Sequence, residues 1–180
     1  MKITIVDGSP HKVTDNYFTS NLASALIDKG HHVSLFKAKN MKINYCTGCW
    51  SCWWKSPGIC MHTDDMPQLY GSYISSDLVI HYSPIIAGFV SSVLKTVNDR
   101  SIPLVHPYMA LVNGECHHCS RYKKYPLLGL IIDSENADSD DLELTKDLYA
   151  RFALNLKSEL KYFETTKKPM EELCNEISSI

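Results

Sequence analysis

Four cysteines lie close together in one segment of this 180-residue chain, at spacings that can support chemistry. They are Cys46, Cys49, Cys52 and Cys60, with two, two and seven residues between them. Closely spaced thiolates are ligands for iron–sulfur clusters and for zinc. The first residues do not form the apolar core of an export signal, so we expect a cytoplasmic protein in which disulfides are rare. Metal binding or redox chemistry therefore explains these cysteines better than disulfide bonding.

The residue types alone leave three interpretations of this segment open. The cysteines hold an iron–sulfur cluster, hold zinc, or remain free thiols. Zinc is the least favoured, because structural zinc closes folds that lack a core, and 180 residues can bury a core of their own. Trp50, Trp53 and Trp54 alternate with the cysteines, and we interpret them as packing or subunit-contact residues.

A second polar segment has the composition of a phosphate-binding loop. Residues 7–16 supply hydroxyls, an amide and two possible cations directly before a predicted helix. Backbone N–H groups and the dipole at a helix N-terminus favour bound phosphate. The segment matches neither the GxGxxG nor the Walker A pattern, so it does not indicate a dinucleotide site or a P-loop NTPase. An ordinary polar turn is the alternative interpretation.

Strands and helices that alternate along the chain must position these segments. The apolar patterns predict strands over 3–6, 33–36, 77–82, 108–112 and 127–132, and helices over 16–29, 63–75, 89–99 and 139–163. This alternation predicts a three-layer α/β fold with parallel strands, in a single domain over 1–180. Ligands bind at the carboxyl ends of such strands. The long polar segment 113–126 is a further candidate functional loop.

Composition excludes several classes of protein. With a net charge of −2 and no stripe of Lys and Arg, the chain does not predict a nucleic-acid partner. No run of 18 apolar residues occurs, so no membrane-spanning helix is predicted.

The loop after the third predicted strand carries a motif of a known family. It reads Ser83-Pro84-Ile85-Ile86-Ala87-Gly88 and is followed by Ser92, Leu94-Lys95 and Asp99-Arg100. Together with Gly8-Ser9-Pro10, these residues resemble the NADPH-dependent FMN reductases, which are flavodoxin-like proteins. The resemblance implies a five-stranded parallel sheet in the order 2-1-3-4-5, with helices on both faces.

This resemblance implies an FMN site at the carboxyl edge of the sheet. The residues expected near the phosphate are Ser9, Pro10, His11, Asn16, Tyr17 and Phe18. Those expected around the flavin ring are Ser83, Pro84, Ile85, Ile86, Gly88, Asn113 and Gly114. The chain departs from the family pattern at His11, which replaces an arginine, at Ile86, which replaces a tyrosine, and at Tyr17, which replaces a threonine.

The four cysteines resemble the motif of the iron-sulfur flavoproteins, a branch of the same family in which they hold a 4Fe–4S cluster. The resemblance thus implies an NAD(P)H-dependent reductase of flavin, quinone or another small-molecule acceptor. Its alternative is an electron carrier that passes electrons between ferredoxin and FMN through the cluster. Either function needs no acid–base triad, because the flavin supplies the chemistry. The resemblance also implies a homodimer or homotetramer.

Two other features have less specific interpretations. Cys116-His117-His118-Cys119 is a weak metal motif, because adjacent histidines do not easily face one ion, and we expect a loop near the flavin or an interface. Cys174 is expected to be a structural thiol. A phosphoryl receiver would need an acidic pair after the first strand and an aspartate ending the third, where this chain has only Asp7 and Tyr82.

Overall fold

The computed structural model describes residues 1–10, 17–112, 114–135 and 137–180. The strands are β1 (Lys2–Asp7), β2 (His32–Lys37), β3 (Leu78–Ile86), β4 (Phe89–Val90), β5 (Val105–Val112), β6 (Glu115–Ser120), β7 (Leu127–Asp133) and β8 (Leu160–Thr165). The helices are α1 (Phe18–Asp28), α2 (Ser51–Trp54), α3 (Met66–Ser75), α4 (Ser92–Asp99), α5 (Ser139–Asn155) and α6 (Met170–Ser178). Short 3₁₀ turns cover Ala38–Asn40 and Ile102–Leu104.

Five parallel strands form the central sheet in the order β2-β1-β3-β7-β8. Counted along the chain, these strands have the order 2-1-3-4-5, which confirms the predicted flavodoxin-like arrangement. The short β4 adds an antiparallel pairing with the tip of β3. Within the described ranges, no helix is long and apolar enough to cross a membrane.

Helices cover both faces of this sheet, because side chains along a strand alternate between its faces. On one face, α1 and α6 pack against β1 and β3 through buried side chains that include Leu22, Leu26, Leu173 and Ile177. On the other face, α3, α4 and α5 contribute Leu69, Leu94, Val97 and Tyr149 to a second core. The two cores hold the sheet rigid and so fix the positions of the loops at its carboxyl edge.

The predicted fourth strand was assigned to the wrong sheet. Residues 108–112 belong to β5, which pairs antiparallel with β6 in a separate two-stranded hairpin. The fourth strand of the central sheet is instead β7, which was predicted as the fifth. Part of the polar segment predicted as a loop over 113–126 is therefore the strand β6.

The predicted last helix was too long. It ends at Asn155, and Lys157 then takes a positive φ of 58° before β8 begins. Leu160 and Phe163 fall within the helix predicted over 139–163, but they belong to the fifth strand of the central sheet. A short apolar run is compatible with the period of a helix or with that of a strand. Here pairing with β7 selects the strand. The helix α6 was not predicted.

Candidate functional site

The carboxyl ends of three parallel strands meet at one edge of the sheet. Asp7, the last residue of β1, is in register with Tyr82 of β3. Pro84 of β3 is in register with Asp133, the last residue of β7. The loops that follow these strands therefore begin side by side, which is where open parallel sheets bind ligands.

A buried carboxylate shapes the loop after β1. Asp7 is 1% exposed, and its oxygens accept hydrogen bonds from the Ser9 backbone N–H at 2.9 Å and from the Thr19 hydroxyl at 2.7 Å. The second bond ties the loop to the first turn of α1. Thr19 was missed by sequence reasoning, since a threonine inside a helix gives no signal of this role.

The same loop packs closely against α4. A Cβ at Gly8 would lie only 2.5 Å from the Cβ of Leu94, so glycine is the residue that fits. The Gly8 N–H donates to the Tyr82 carbonyl at 2.8 Å, and the Gly8 carbonyl accepts a hydrogen bond from the Ser91 hydroxyl. These contacts fix the backbone of the loop on both sides.

Ser9 carries the buried polar group that a phosphate would satisfy. It is 5% exposed, and its hydroxyl has no hydrogen-bond partner among the described residues. Buried hydroxyls are seldom left without a partner, because that costs free energy. Pro10 follows, half-buried, and the loop leads toward the N-terminus of α1, which favours an anion. The donor set thus fits the phosphate group of FMN.

The structure describes only some of the remaining residues predicted for the phosphate site. His11 and Asn16 lie outside the described residues. Tyr17 directly precedes α1 and its side chain is 63% exposed. Phe18 stacks against Tyr82, with ring centroids 5.3 Å apart. The start of α1 is thereby packed against the carboxyl end of β3.

Ser83 connects β3 to the beginning of α4. It is fully buried, and its hydroxyl donates to the Pro84 carbonyl and accepts from the Ser91 N–H, each at 2.8 Å. The Ser91 hydroxyl in turn accepts the Leu94 N–H at 3.1 Å and so caps α4. The Ser-Pro motif therefore orients the segment that follows it.

That segment is a tight hairpin, where a loop and a helix from residue 89 were predicted. Ile85 and Ile86 pair with the two residues of β4, which delays the start of α4 to Ser92. Ala87 and Gly88 have φ values of 52° and 77°, as in a type I′ turn. Ile85 is buried, whereas Ile86 is 47% exposed at the tip. Five of the residues predicted to surround the flavin ring thus lie in β3 or in this turn: Ser83, Pro84, Ile85, Ile86 and Gly88.

The loop after the fourth central strand is not the one that was predicted. Gly114 lies in the turn of the β5–β6 hairpin with a φ of 84°, and Asn113 lies outside the described residues. The loop beside the β3 hairpin follows β7 and begins at Ser134. Ser134 is 1% exposed, and its hydroxyl has no partner in the described part of the chain. The ring contacts of Asn113 and Gly114 stay a prediction.

The four clustered cysteines line one cavity. Cys46 and Cys49 are exposed, and Cys52 and Cys60 are half-buried. The other residues of the wall are Thr47, Gly48, Trp50, His62 and Ile102. Across ranges 1–10, 17–112, 114–135 and 137–180, no three His, Cys, Asp or Glu side chains are arranged to hold a single ion. The thiols share a cavity without converging on one point.

Electrostatics in this cavity disfavour several thiolates at once. Burial raises the pKa of Cys52, and negative charge on Cys60, Cys46 and Cys49 raises it further. By contrast, hydrogen bonds from the backbone and hydroxyl of Ser51 lower the pKa of Cys49. Four thiolates together would repel one another, and metal ions remove that repulsion.

The cysteine segment is anchored through its tryptophan. Trp53 is 7% exposed, and its indole N–H is shared between the carbonyls of Ile102 and Val105, each at 3.1 Å. The ring also packs against His118 of β6, with centroids 4.8 Å apart. Trp50 adopts a positive φ of 61° where the segment turns into α2. Trp53 is therefore a packing residue, as predicted.

A buried ion pair closes both ends of the segment. Arg100, at the end of α4, donates to the Asp64 carboxylate at 2.6 and 3.0 Å and to the Asn44 carbonyl at 2.6 Å. The side chains of Arg100 and Asp64 are 1% and 0% exposed. Asn44 precedes the first cysteine and Asp64 follows the last, so Arg100 holds the chain on both sides of the cavity.

The Cys116–Cys119 motif does not form part of this cavity. It lies on β6, where Cys116 is exposed and Cys119 is half-buried. His117 contacts Glu115 at 3.1 Å and Asn155 at 3.2 Å. The structure thus places this motif in the hairpin beside α5. Cys174 is buried in α6 and packs in the core, as predicted for a structural thiol.

The sequence profile of the NADPH-dependent FMN reductases matches residues 1–114, which contain the loop after β1, the four cysteines and the β3 hairpin. The chain belongs to this family. The description of this family names FMN and a reductase that uses NADPH.

Two relatives of this FMN reductase chain are iron-sulfur flavoproteins. That of Methanocaldococcus jannaschii is 39% identical over 101 residues, which are 56% of this chain and 50% of the relative. That of Archaeoglobus fulgidus is 36% identical over 107 residues, which are 59% of this chain and 48% of the relative. The matched part is thus about half the length of these relatives.

Solved structures share the fold of this FMN reductase chain. An FMN-dependent NADH-azoreductase from Bacillus anthracis in complex with FMN has a TM-score of 0.59 at 12% identity, covering 99% of this chain and 95% of that one. A flavone reductase has a TM-score of 0.62 at 15% identity, covering 100% of this chain and 60% of that one. At these identities the likeness concerns the fold alone.

Proposed function

We propose that this chain transfers electrons between a 4Fe–4S cluster, held by Cys46, Cys49, Cys52 and Cys60, and FMN at the carboxyl edge of the sheet. The observation that carries the proposal is the single cavity lined by all four thiols. The cysteine segment follows β2, and the flavin loops follow β1 and β3, so all leave the same edge of a parallel sheet.

The arrangement of the thiols favours a cluster over zinc. Tetrahedral zinc with Zn–S bonds of about 2.3 Å requires sulfurs roughly 3.8 Å apart around one point. Within the described ranges, no three such ligands converge in that way. A cluster of four irons instead spreads its thiolates around a larger body. The names of the two relatives support the same choice.

The residues around the flavin supply binding and exclusion of water. Bound FMN contributes one-electron and hydride chemistry. Ser9 is proposed to bind its phosphate through the hydroxyl that lacks a protein partner. The β3 hairpin is proposed to support the ring, and the exposed Ile86 to cover it from water. His11 and Asn16 are proposed to complete the phosphate site.

The test is anaerobic purification of the full chain, with assays of flavin, iron and acid-labile sulfide and EPR after reduction with dithionite. We expect one FMN, four irons and four sulfides for each chain. Cys52→Ala should lose the cluster and keep FMN. The matched control is Cys116→Ala, an exposed thiol outside the cavity, which should keep both. Stoichiometric FMN without iron after anaerobic reconstitution would overturn the proposal.

An NAD(P)H-dependent reductase of flavin or quinone is the second candidate, and the family description favours it. In that case the four thiols are free, and NADPH alone sustains turnover with a small-molecule acceptor. Steady-state NADPH oxidation by the purified chain separates the two functions. Rapid oxidation by cluster-free protein would support the second.

We also propose the setting in which the chain works. Residues 1–180 are proposed to act as one FMN-binding domain, with ferredoxin or a small-molecule acceptor as partner. A cytoplasmic location is supported by the seven free cysteines. A homodimer or homotetramer is supported by exposed apolar side chains near the cavity and on β5, which include Trp50, Trp54, Met61, Tyr108 and Leu111.

A further inference from the structure

The imidazole of His62 is a polar group of the cysteine cavity without a role in the site described above. His62 lies two residues after Cys60 and forms part of the same cavity wall. Its Nε2 atom is buried and has no hydrogen-bond partner among the described residues. A buried nitrogen without a partner is destabilising, so the contents of the cavity are the natural source of that partner.

The remaining wall offers few alternatives to sulfur. Trp50 and Ile102 present apolar surface to the cavity, and Gly48 has no side chain. The hydroxyl of Thr47 is already directed to Cys49, where it helps to lower the pKa of that thiol. Among the side chains of the wall, the acceptors left for an Nε2–H of His62 are therefore sulfur atoms.

The position of His62 is also constrained by the backbone on its C-terminal side. Two residues later, Asp64 is held by Arg100 and by the N–H groups of Asn44 and Met66. This buried anchor limits how far the imidazole can move out of the cavity. A donor fixed in this way needs no reorganisation when a ligand binds.

We propose that His62 donates a hydrogen bond from Nε2 to a sulfur of the iron–sulfur cluster and thereby raises its reduction potential. Reduction adds one electron to the cluster, and a donor to sulfur stabilises the more negative form. No bond to His62 forms or breaks. The inference rests on the proposed function, and His62 is a positioning residue that acts through the cluster.

The first measurement is an EPR-monitored redox titration of the anaerobically reconstituted full chain. His62→Leu removes the donor, and we expect the ratio of reduced to oxidised cluster at a given potential to fall about tenfold, which is 59 mV for one electron. His62→Gln retains an N–H donor and should lie between the two. The matched control His32→Leu changes an exposed histidine at the opposite, amino edge of the sheet and should leave the potential unchanged.

The second measurement does not depend on whether the leucine variant assembles. Protein labelled with ¹⁵N-histidine should show a weak nitrogen coupling to the reduced cluster in pulsed EPR. The coupling should persist in His32→Leu and vanish in His62→Gln, whose amide is unlabelled. A wild-type cluster of four irons without this coupling overturns the inference alone. So does a His62→Leu variant whose ratio of reduced to oxidised cluster at a given potential lies within twofold of the wild-type ratio. A coupling as strong as that of a directly bound imidazole also overturns it.

The iron and sulfide assay separates this inference from the function on which it rests. Wild-type protein that binds FMN but neither iron nor sulfide overturns the proposed function, and this inference falls with it.

Discussion

At the scale of single residues, the hydroxyl of Ser9 distinguishes a phosphate site from an ordinary polar turn. Ser9→Ala should weaken FMN binding by about 1–3 kcal/mol, because a donor to a charged group is lost. Binding of riboflavin, which has no phosphate, should change little. Fluorescence titration of the flavin-free protein with both ligands measures this, with Ser75→Ala on the exposed end of α3 as a control. Equal weakening of both flavins would contradict the phosphate assignment.

Two glycines provide a second test at the same scale. Gly8→Ala would bring a Cβ to within 2.5 Å of Leu94, so we expect a loss of about 1–3 kcal/mol in the free energy of unfolding and weaker FMN binding. The matched control is Gly71 in α3, where a Cβ would meet nothing within 4 Å. Gly71→Ala should stabilise the protein by about 0.5–1 kcal/mol. Urea unfolding measures both, and equal effects would show that the close approach at Gly8 relaxes freely.

At the scale of elements, α4 connects the two candidate sites. Its N-terminal cap is bonded to the loop after β1 through Ser91 and Gly8. Arg100, which directly follows the helix, holds the cysteine segment through Asp64. Burial alone would raise the pKa of Asp64, but hydrogen bonds from Arg100 and from nearby backbone N–H groups hold it well below its usual range. The arginine of the family's Asp-Arg motif thus anchors the cysteine segment in this chain.

Arg100→Gln tests that role. It leaves a buried carboxylate without its partner, so the free energy of unfolding should fall by about 3–5 kcal/mol. Because the cysteine segment is released at both ends, the proposed cluster should also lose iron faster in the presence of a chelator. Arg100→Lys keeps the charge but not the paired geometry and should be intermediate.

A control for this prediction lies in the same helix. Lys95 pairs with Asp99 at 2.5 Å, but both side chains are 49% exposed. Lys95→Ala should therefore cost less than about 1 kcal/mol and leave iron release unchanged. If both variants release iron at the wild-type rate, Arg100 does not hold the segment in solution.

At the scale of the whole molecule, a buried histidine links stability to pH. His81 lies in β3, and its Nδ1 contacts the hydroxyl of Tyr149 in α5 at 2.7 Å. The residue is 1% exposed. Burial lowers its pKa from 6.5 to about 3, so the folded protein keeps the imidazole neutral. Below pH 6.5 the unfolded chain takes up a proton that the folded chain does not.

The contribution of His81 to the free energy of unfolding should therefore be fully present above pH 6.5 and fall by up to about 1.4 kcal/mol for each pH unit between 6.5 and 3. The contribution of Asp64 is lost only below its usual value of 3.8, so the window from pH 6 to 4.5 reports mainly on His81. Urea unfolding at several pH values measures the slope. His81→Gln should reduce it, and an unchanged slope would show that another group is responsible.

The sequence by itself determined those features whose signals are local. The periods of the apolar residues in strands and helices predicted the α/β class. The two motifs after β1 and β3 indicated the family. The cysteine spacing identified the candidate cluster ligands, because a short segment must keep its own thiols close together. Those ligands stay a prediction until iron and sulfide are measured.

Tertiary structure decided what depends on distant partners. Whether residues 105–112 join the central sheet or pair with β6 is a choice between competing strands, and their own pattern is the same in either case. The sequence pattern around Leu160 is compatible with a helix or a strand, and pairing with the edge of β7 selects the strand. Asp64 and Arg100 are 36 positions apart in the sequence, and their ion pair anchors the chain two residues after His62, which lines the cavity with the cysteines. Such contacts carry no periodic or motif signal, since they arise from which surfaces the packed core brings together.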